Sequence, residues 1–193
     1  MRLLTNTVFL ICILLVSFVV QAQDDEDFNN TVSIDIPEVV IMDIESEGSQ
    51  NISLTIEALT QVGLMIGLTA TVDSSLWLNY SSVRSKTNES NRNIYARVIS
   101  GTVPSGLKLR VKPQPYIGSG DGDLGFISNG TNGRVLIATD RKIIRNIRTC
   151  YTGGGPGNGH RLVYVLEYRD NQYKNIDFDD SNTVTVLYTI TDN

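Results

Sequence analysis

The sequence predicts an all-β chain folded as an antiparallel two-sheet sandwich, Ig-like or jelly-roll in layout, with roughly nine or ten strands. Three observations predict it. Short segments with period-two alternation recur along the chain, glycine- and asparagine-rich turns separate them, and no long stretch keeps helical spacing. Alternation leaves one face of each strand apolar. Two such sheets bury those faces against each other.

The elements follow in order. Thr31–Ile36 alternates, with Val32, Ile34 and Ile36 on one face, and Pro37 ends it. Glu38–Ser46 resumes extended structure. Asn51–Glu57 alternates again through Ile52, Leu54 and Ile56. Ala58–Val72 has partial helical spacing, but Gly63 and Gly67 each weaken a helix by about 1 kcal/mol, so the expectation is irregular chain. Ser75–Tyr80 reads as a short strand with Leu76, Leu78 and Tyr80 on one face and Trp77 and Asn79 on the other. Ser81–Asn91 reads as a polar surface loop. Asn93–Ser100 is a strand. Gly106–Lys112 alternates most cleanly, with Leu107, Leu109 and Val111 facing in and Lys108, Arg110 and Lys112 facing out. That basic stripe reads as a guard against edge-to-edge pairing. Pro113–Thr131 reads as loop, Arg134–Thr139 and Lys142–Cys150 as strands, and Thr183–Thr191 as the last strand.

Met1–Ala22 has the form of a secretory signal peptide: Arg2, an apolar run from Val8 to Val20, and small residues before a cleavage point after Ala22. The run is shorter than the ~20 residues a membrane span needs, so no membrane span is expected in the mature chain. The expected location is therefore extracellular: secreted, at the outer cell surface, or in the periplasm. Gln23–Asn30 is an acidic tail that cannot bury enough apolar surface to order itself, and 31–193 is expected to form a single domain. Without Arg2 the chain carries 15 basic and 21 acidic residues. That balance excludes nonspecific nucleic-acid binding, which needs a basic surface. Cys150 is the one cysteine past the signal segment, so no intrachain disulfide is expected.

Ile147–Tyr168 gathers Cys150, His160 and five glycines between Gly153 and Gly159, and reads as strand, mobile hairpin loop, strand. A phosphate-binding loop needs Gly-Lys-Ser/Thr leading into a helix, whereas Gly159 is followed by His160 and a strand. Cys150 and His160 invite a nucleophile–base pairing, but no third group to orient the base is evident, so no catalytic residue is assigned. Asp121 and Asp123 are spaced like the start of a calcium loop. The twelfth residue, Asn132, breaks the EF-hand pattern, which leaves them weak calcium candidates and no cofactor expected. Asp177, Asp179 and Asp180 cluster before the last strand and read as a solvated turn. Trp77, Tyr80, Tyr95, Tyr116 and Tyr151 would be stacking platforms for a glycan if exposed.

Two resemblances add to this reading. VSIDIPEVVIMDIE, WLNY, GTVPSGLKL, CYTGGGPGNGHRLVYVLEY and TVTVLYTITD resemble small secreted proteins of Bacteroidota. That likeness implies fold and compartment and carries no activity. The last strand, with Tyr188 near its end, is similar to the closing strand of fimbrial subunits, in which an N-terminal extension completes a neighbour's sheet. Thr31–Ile36 would be the matching extension, although the disulfide is missing and the chain has strands enough to close its own sandwich. The expected function is noncatalytic: a surface, matrix or filament subunit, pilin-like or adhesive, whose partners are copies of itself or other surface proteins joined by strand addition. A carbohydrate-binding module is the alternative, and a hydrolase working through an Asp/Glu pair comes third.

Overall fold

The computed structural model describes residues 30–56, 60–66, 72–177, 179 and 182–192. The signal segment and all of the acidic tail except exposed Asn30 lie outside the described residues. The chain is all-β, two antiparallel sheets forming a sandwich, and no α-helix occurs among the described residues. No helix there is long and apolar enough to cross a membrane.

The strands are β1 (Val39–Ser46), β2 (Val72–Val83), β3 (Arg92–Ser100), β4 (Leu107–Pro113), β5 (Asp121–Gly122), β6 (Phe126–Ile127), β7 (Arg134–Val135), β8 (Arg141–Ile147), β9 (Cys150–Tyr151), β10 (His160–Tyr168) and β11 (Thr185–Asp192). The large sheet runs β5-β9-β2-β10-β4-β7, with β1 on the other side of β2. The small sheet runs β11-β3-β8-β6. Alternation puts Leu76, Leu78 and Tyr80 of β2, Leu107, Leu109 and Val111 of β4, and Leu162, Tyr164 and Leu166 of β10 against Ile94 and Ala96 of β3, and Ile143, Ile144 and Ile147 of the irregularly paired β8 are buried in the same core. The hydroxyls of Tyr164 and Tyr188 meet across the core. Arg92, fully buried, ties the sheets at one corner: it reaches Glu38 and the Val39 carbonyl at the start of β1, Ser82 and Val83 at the end of β2, and Asp192 at the end of β11.

Several expectations are corrected. Thr31–Ile36 forms no strand, and Val32, Ile34 and Ile36 are 72%, 82% and 74% exposed. The compact unit begins at Pro37. Residues 51–56 have no ladder partner among the described residues, yet Ile52, Leu54 and Ile56 pack against the core, so the alternation there is satisfied by burial. Residues 60–66 are irregular as expected. The strand expected over Ser75–Tyr80 runs on through Ser81–Val83, because β1 pairs with it as far as Val83. Two-residue strands appear inside the loop expected over Pro113–Thr131. The segment Lys142–Cys150 is two strands in different sheets, since the chain crosses over at Arg148–Thr149.

The basic stripe does not guard an edge. β4 lies between β10 and β7, and Lys108, Arg110 and Lys112 converge on Glu167 of β10 at 3.6, 3.1 and 3.4 Å. Burial alone would raise the Glu167 pKa, but its hydrogen bond from Arg110 and the charges of Arg110 and Lys112 outweigh burial and hold it below its ordinary value.

Candidate functional site

The glycine-rich stretch is not a hairpin. β9 pairs with Ser81 and Ser82 of β2, and β10 pairs with β2 from Leu78 to Val72, so the two segments lie end to end along one edge of the same strand. Gly153–Gly159 is an excursion from that line. It is pinned: Asn79 Nδ2 donates to the carbonyls of Gly153 (3.0 Å) and Gly155 (3.1 Å), and Asn158 Nδ2 donates to the Gly154 carbonyl (2.8 Å). Gly159, at φ 90° and packed on the Leu78 carbonyl, admits no side chain.

Beneath the excursion lies a buried polar cluster. The Gln114 carbonyl, which only accepts, sits 2.8 Å from His160 Nδ1, so that nitrogen carries the proton, and the bare Nε2 competes with the Leu124 carbonyl for the one Tyr80 hydroxyl proton, 3.1 Å away. The Leu124 carbonyl, at 2.7 Å, is the nearer of the two acceptors. The Tyr116 ring stands edge-on to His160 and its hydroxyl donates to the Thr152 carbonyl. Thr152 bonds back to the Tyr80 backbone. Burial lowers the His160 pKa, against the opposing pull of the Gln114 hydrogen bond. The Cys150 thiol, 6% exposed, is pushed up to about 11 by burial, with Asp123 adding to the rise. A protonated buried thiol and an imidazole whose two nitrogens face Gln114 and Tyr80 form a packing cluster, and the nucleophile–base pairing is not assembled. The reason lies in the register: Cys150 opposes Ser82 and His160 opposes Leu78, on one line and never across from each other.

Above the sheet, beside the excursion, is a cavity of about 350 Å³. Its wall on β1 is Ile41, Asp43 and Glu45, one outward face, and these oppose Ser81, Asn79 and Trp77 of β2. Tyr151, opposite Ser81 on the far side, closes it together with Gly153 and Gly154.

No family model matches the chain, and neither does any curated protein or solved structure.

The five aromatic residues considered as glycan platforms do not gather on one surface. Trp77 and Tyr80 are 2% and 3% exposed, and the Trp77 ring is covered by the Arg161 guanidinium 5.1 Å above it. Tyr95 lies under Lys142 on the small sheet, and Tyr116 is half-buried against His160. Tyr151 alone is half exposed, and it lines the cavity. Asp121 turns its carboxylate onto the Gly122 amide, while Asp123 pairs with Arg148 at 3.5 Å. No group of three metal-binding side chains occurs among the described residues. Asp177 accepts from the Asp179 amide in a turn, and Asp180 lies outside the described residues. Sequence reasoning missed Asp43 and Glu45; their shared face with Asn79 depends on the β1–β2 register, and the i, i+2 spacing was the one signal available.

Proposed function

We propose that the protein is a noncatalytic extracellular β-sandwich that works by contact, as a subunit of a surface, matrix or filament assembly. The observation that carries this reading is the segment Thr31–Ile36: three β-branched side chains on one period-two face, each more than 70% exposed, in chain with no strand partner among the described residues. Such a segment is a strand in waiting, and an open sheet edge supplies the hydrogen bonds it needs. β11 fits as the receiving edge. It is eight residues long, is paired on one side by β3, and has no proline, lysine or arginine. The export signature at Met1–Ala22 supports the extracellular part of the reading.

The test deletes residues 31–36 from the mature chain and follows both proteins by sedimentation velocity and electron microscopy. The parent is expected to form oligomers that the deletion abolishes, and Ile34→Asp is expected to do the same. A parent that stays monomeric at high concentration refutes the proposal. The alternative, glycan binding, rests on the half-exposed Tyr151 ring beside the cavity. A glycan array whose signal is lost in Tyr151→Ala would favour it.

A further inference from the structure

Charge is segregated along the chain. Residues 23–83 carry eleven acids and no lysine or arginine, whereas residues 84–169 carry fourteen cations and five acids. Four of those cations, Arg92 and the three around Glu167, have close carboxylate partners. The outward face of the small sheet is less well supplied. Ile94, Ala96, Ile144 and Tyr188 turn into the core, so the register places Tyr95 and Arg97 of β3, Lys142 and Arg145 of β8, Leu187 of β11 and Phe126 of β6 on the opposite side. Arg145 is exposed and has no ion pair among the described residues. Lys142 lies over the Tyr95 ring, 5.6 Å from its centroid, and likewise has no carboxylate there. Arg97 meets Asp140 at 3.6 Å, too far for a hydrogen bond. Phe126, Ile99 and Leu187 are 63%, 52% and 36% exposed on this face, which is therefore cationic and partly apolar in an acidic chain.

We infer that this face receives the acidic segment 23–30 of a second copy, the same copy whose residues 31–36 add to β11. The inference rests on the strand addition proposed above and names where the incoming chain goes next. Segment 23–30 reads Gln-Asp-Asp-Glu-Asp-Phe-Asn-Asn. Four carboxylates and one phenyl ring complement three cations beside open apolar side chains. The segment directly precedes the donor strand, and β11 is the edge of this very sheet. From β11 across β3 to β8 is two strand spacings, about 10 Å. Six extended residues span at most about 20 Å, so Asp24–Asp27 reach Arg97, Lys142 and Arg145 while Phe28 falls nearer Leu187. A free polyanion gains little here, because each exposed ion pair contributes little by itself. A segment tethered to a strand already in place binds at high effective concentration, so the same few pairs suffice.

The test follows self-association of mature chains by sedimentation velocity at about 50 and 500 mM sodium chloride. The tail variant carries Asp24→Asn, Asp25→Asn, Glu26→Gln and Asp27→Asn. The face variant carries Lys142→Glu and Arg145→Glu, and Ile34→Asp is the control for strand addition. Each of the first two is expected to associate about tenfold more weakly than the parent at low salt, with the difference gone at high salt. Joining the face variant to Asp24→Lys, Asp25→Lys, Glu26→Lys and Asp27→Lys in one chain is expected to restore parental association. Should the face variant misfold, Arg145→Glu alone gives the same reading. A parent that stays monomeric overturns strand addition and this inference together. Oligomers lost in Ile34→Asp but unchanged in the tail or face variant overturn this inference alone, as does a charge-reversed chain that fails to recover. Stronger association of the tail variant would put the segment on its own copy, and tight binding of heparin to the tail variant would make the face a site for a free polyanion; either result also overturns it.

Discussion

Replacing Arg92 with methionine removes a guanidinium and keeps much of the stem. Arg92 Nη1 faces the Val39 carbonyl at 2.9 Å, the Ser82 hydroxyl at 3.0 Å and the Val83 carbonyl at 3.2 Å. Nε donates to Asp192 at 3.0 Å and Nη2 to Glu38. The partners respond differently to its loss. The side chains of Glu38 and Asp192 are 56% and 59% exposed and return to water, so each pair contributes what a surface ion pair does, about 0.2–1 kcal/mol. The three neutral acceptors sit against the buried guanidinium and cannot all do so. Each loses a charge-assisted hydrogen bond of roughly 1.5–3 kcal/mol, discounted because two Nη1 hydrogens serve all three. The expected loss for Arg92→Met is about 3–5 kcal/mol, the range seen when one partner of a buried charge network is removed. Glu38→Gln and Asp192→Asn should each lose less than about 1 kcal/mol. Urea unfolding measures this as a lower midpoint at unchanged slope. An Arg92→Met chain within about 1 kcal/mol of wild type, or an Asp192→Asn chain as weak as Arg92→Met, would refute the reasoning.

Further predictions concern pH, glycine and tryptophan. His160 is held neutral by burial, so its folded pKa lies below the ordinary 6.5. The stability it contributes is complete above pH 6.5 and is lost as pH falls toward the folded value. Melting temperature against pH should therefore be flatter between pH 7 and the folded value in His160→Gln, relative to its own value at pH 8. Glu167, with its pKa held below the ordinary 4.5, contributes in a lower window. Its share is present above 4.5 and disappears as pH falls through the folded value, a step that Glu167→Gln should abolish. Gly120→Ala places a Cβ 2.0 Å from the Tyr151 carbonyl oxygen, whereas Gly154→Ala meets nothing. Hydrogen exchange should rise around Tyr151 in the first variant and stay unchanged in the second. Trp77 Nε1 is buried without a partner, so Trp77→Phe gives up ring area while removing an orphan donor. The loss in urea unfolding is expected to stay below the roughly 3–5 kcal/mol typical of truncating a buried aromatic to alanine.

Much of the sandwich was legible because its long strands obey period two. β4 alternates buried and half-buried from Leu107 to Pro113 as its residues suggest. β2 hid its length and its second buried face: Ser81–Val83 is polar, and Trp77 and Asn79 are covered from outside the ladder. The two-residue strands β5, β6, β7 and β9 carry no period at all, and their pairing is tertiary. Thr31–Ile36 shows the opposite failure, since alternation states a capacity to pair and a partner must still be supplied. At the site, Tyr151 was legible as an aromatic, but its neighbours were not. Glu167 opposite Lys108, and Asp43 opposite Asn79, are products of strand register, which no local pattern near those residues encodes.

The end-to-end placement of β9 and β10 has a consequence for engineering. Each is anchored to β2 by its own ladder, so the intervening glycines are a splice in a strand that is held on both sides. The tip at Gly154 and Gly155 meets no neighbouring atoms at its Cβ positions. Foreign sequence spliced into that tip, such as an epitope, would be displayed at the mouth of the cavity without disturbing the register of either flank.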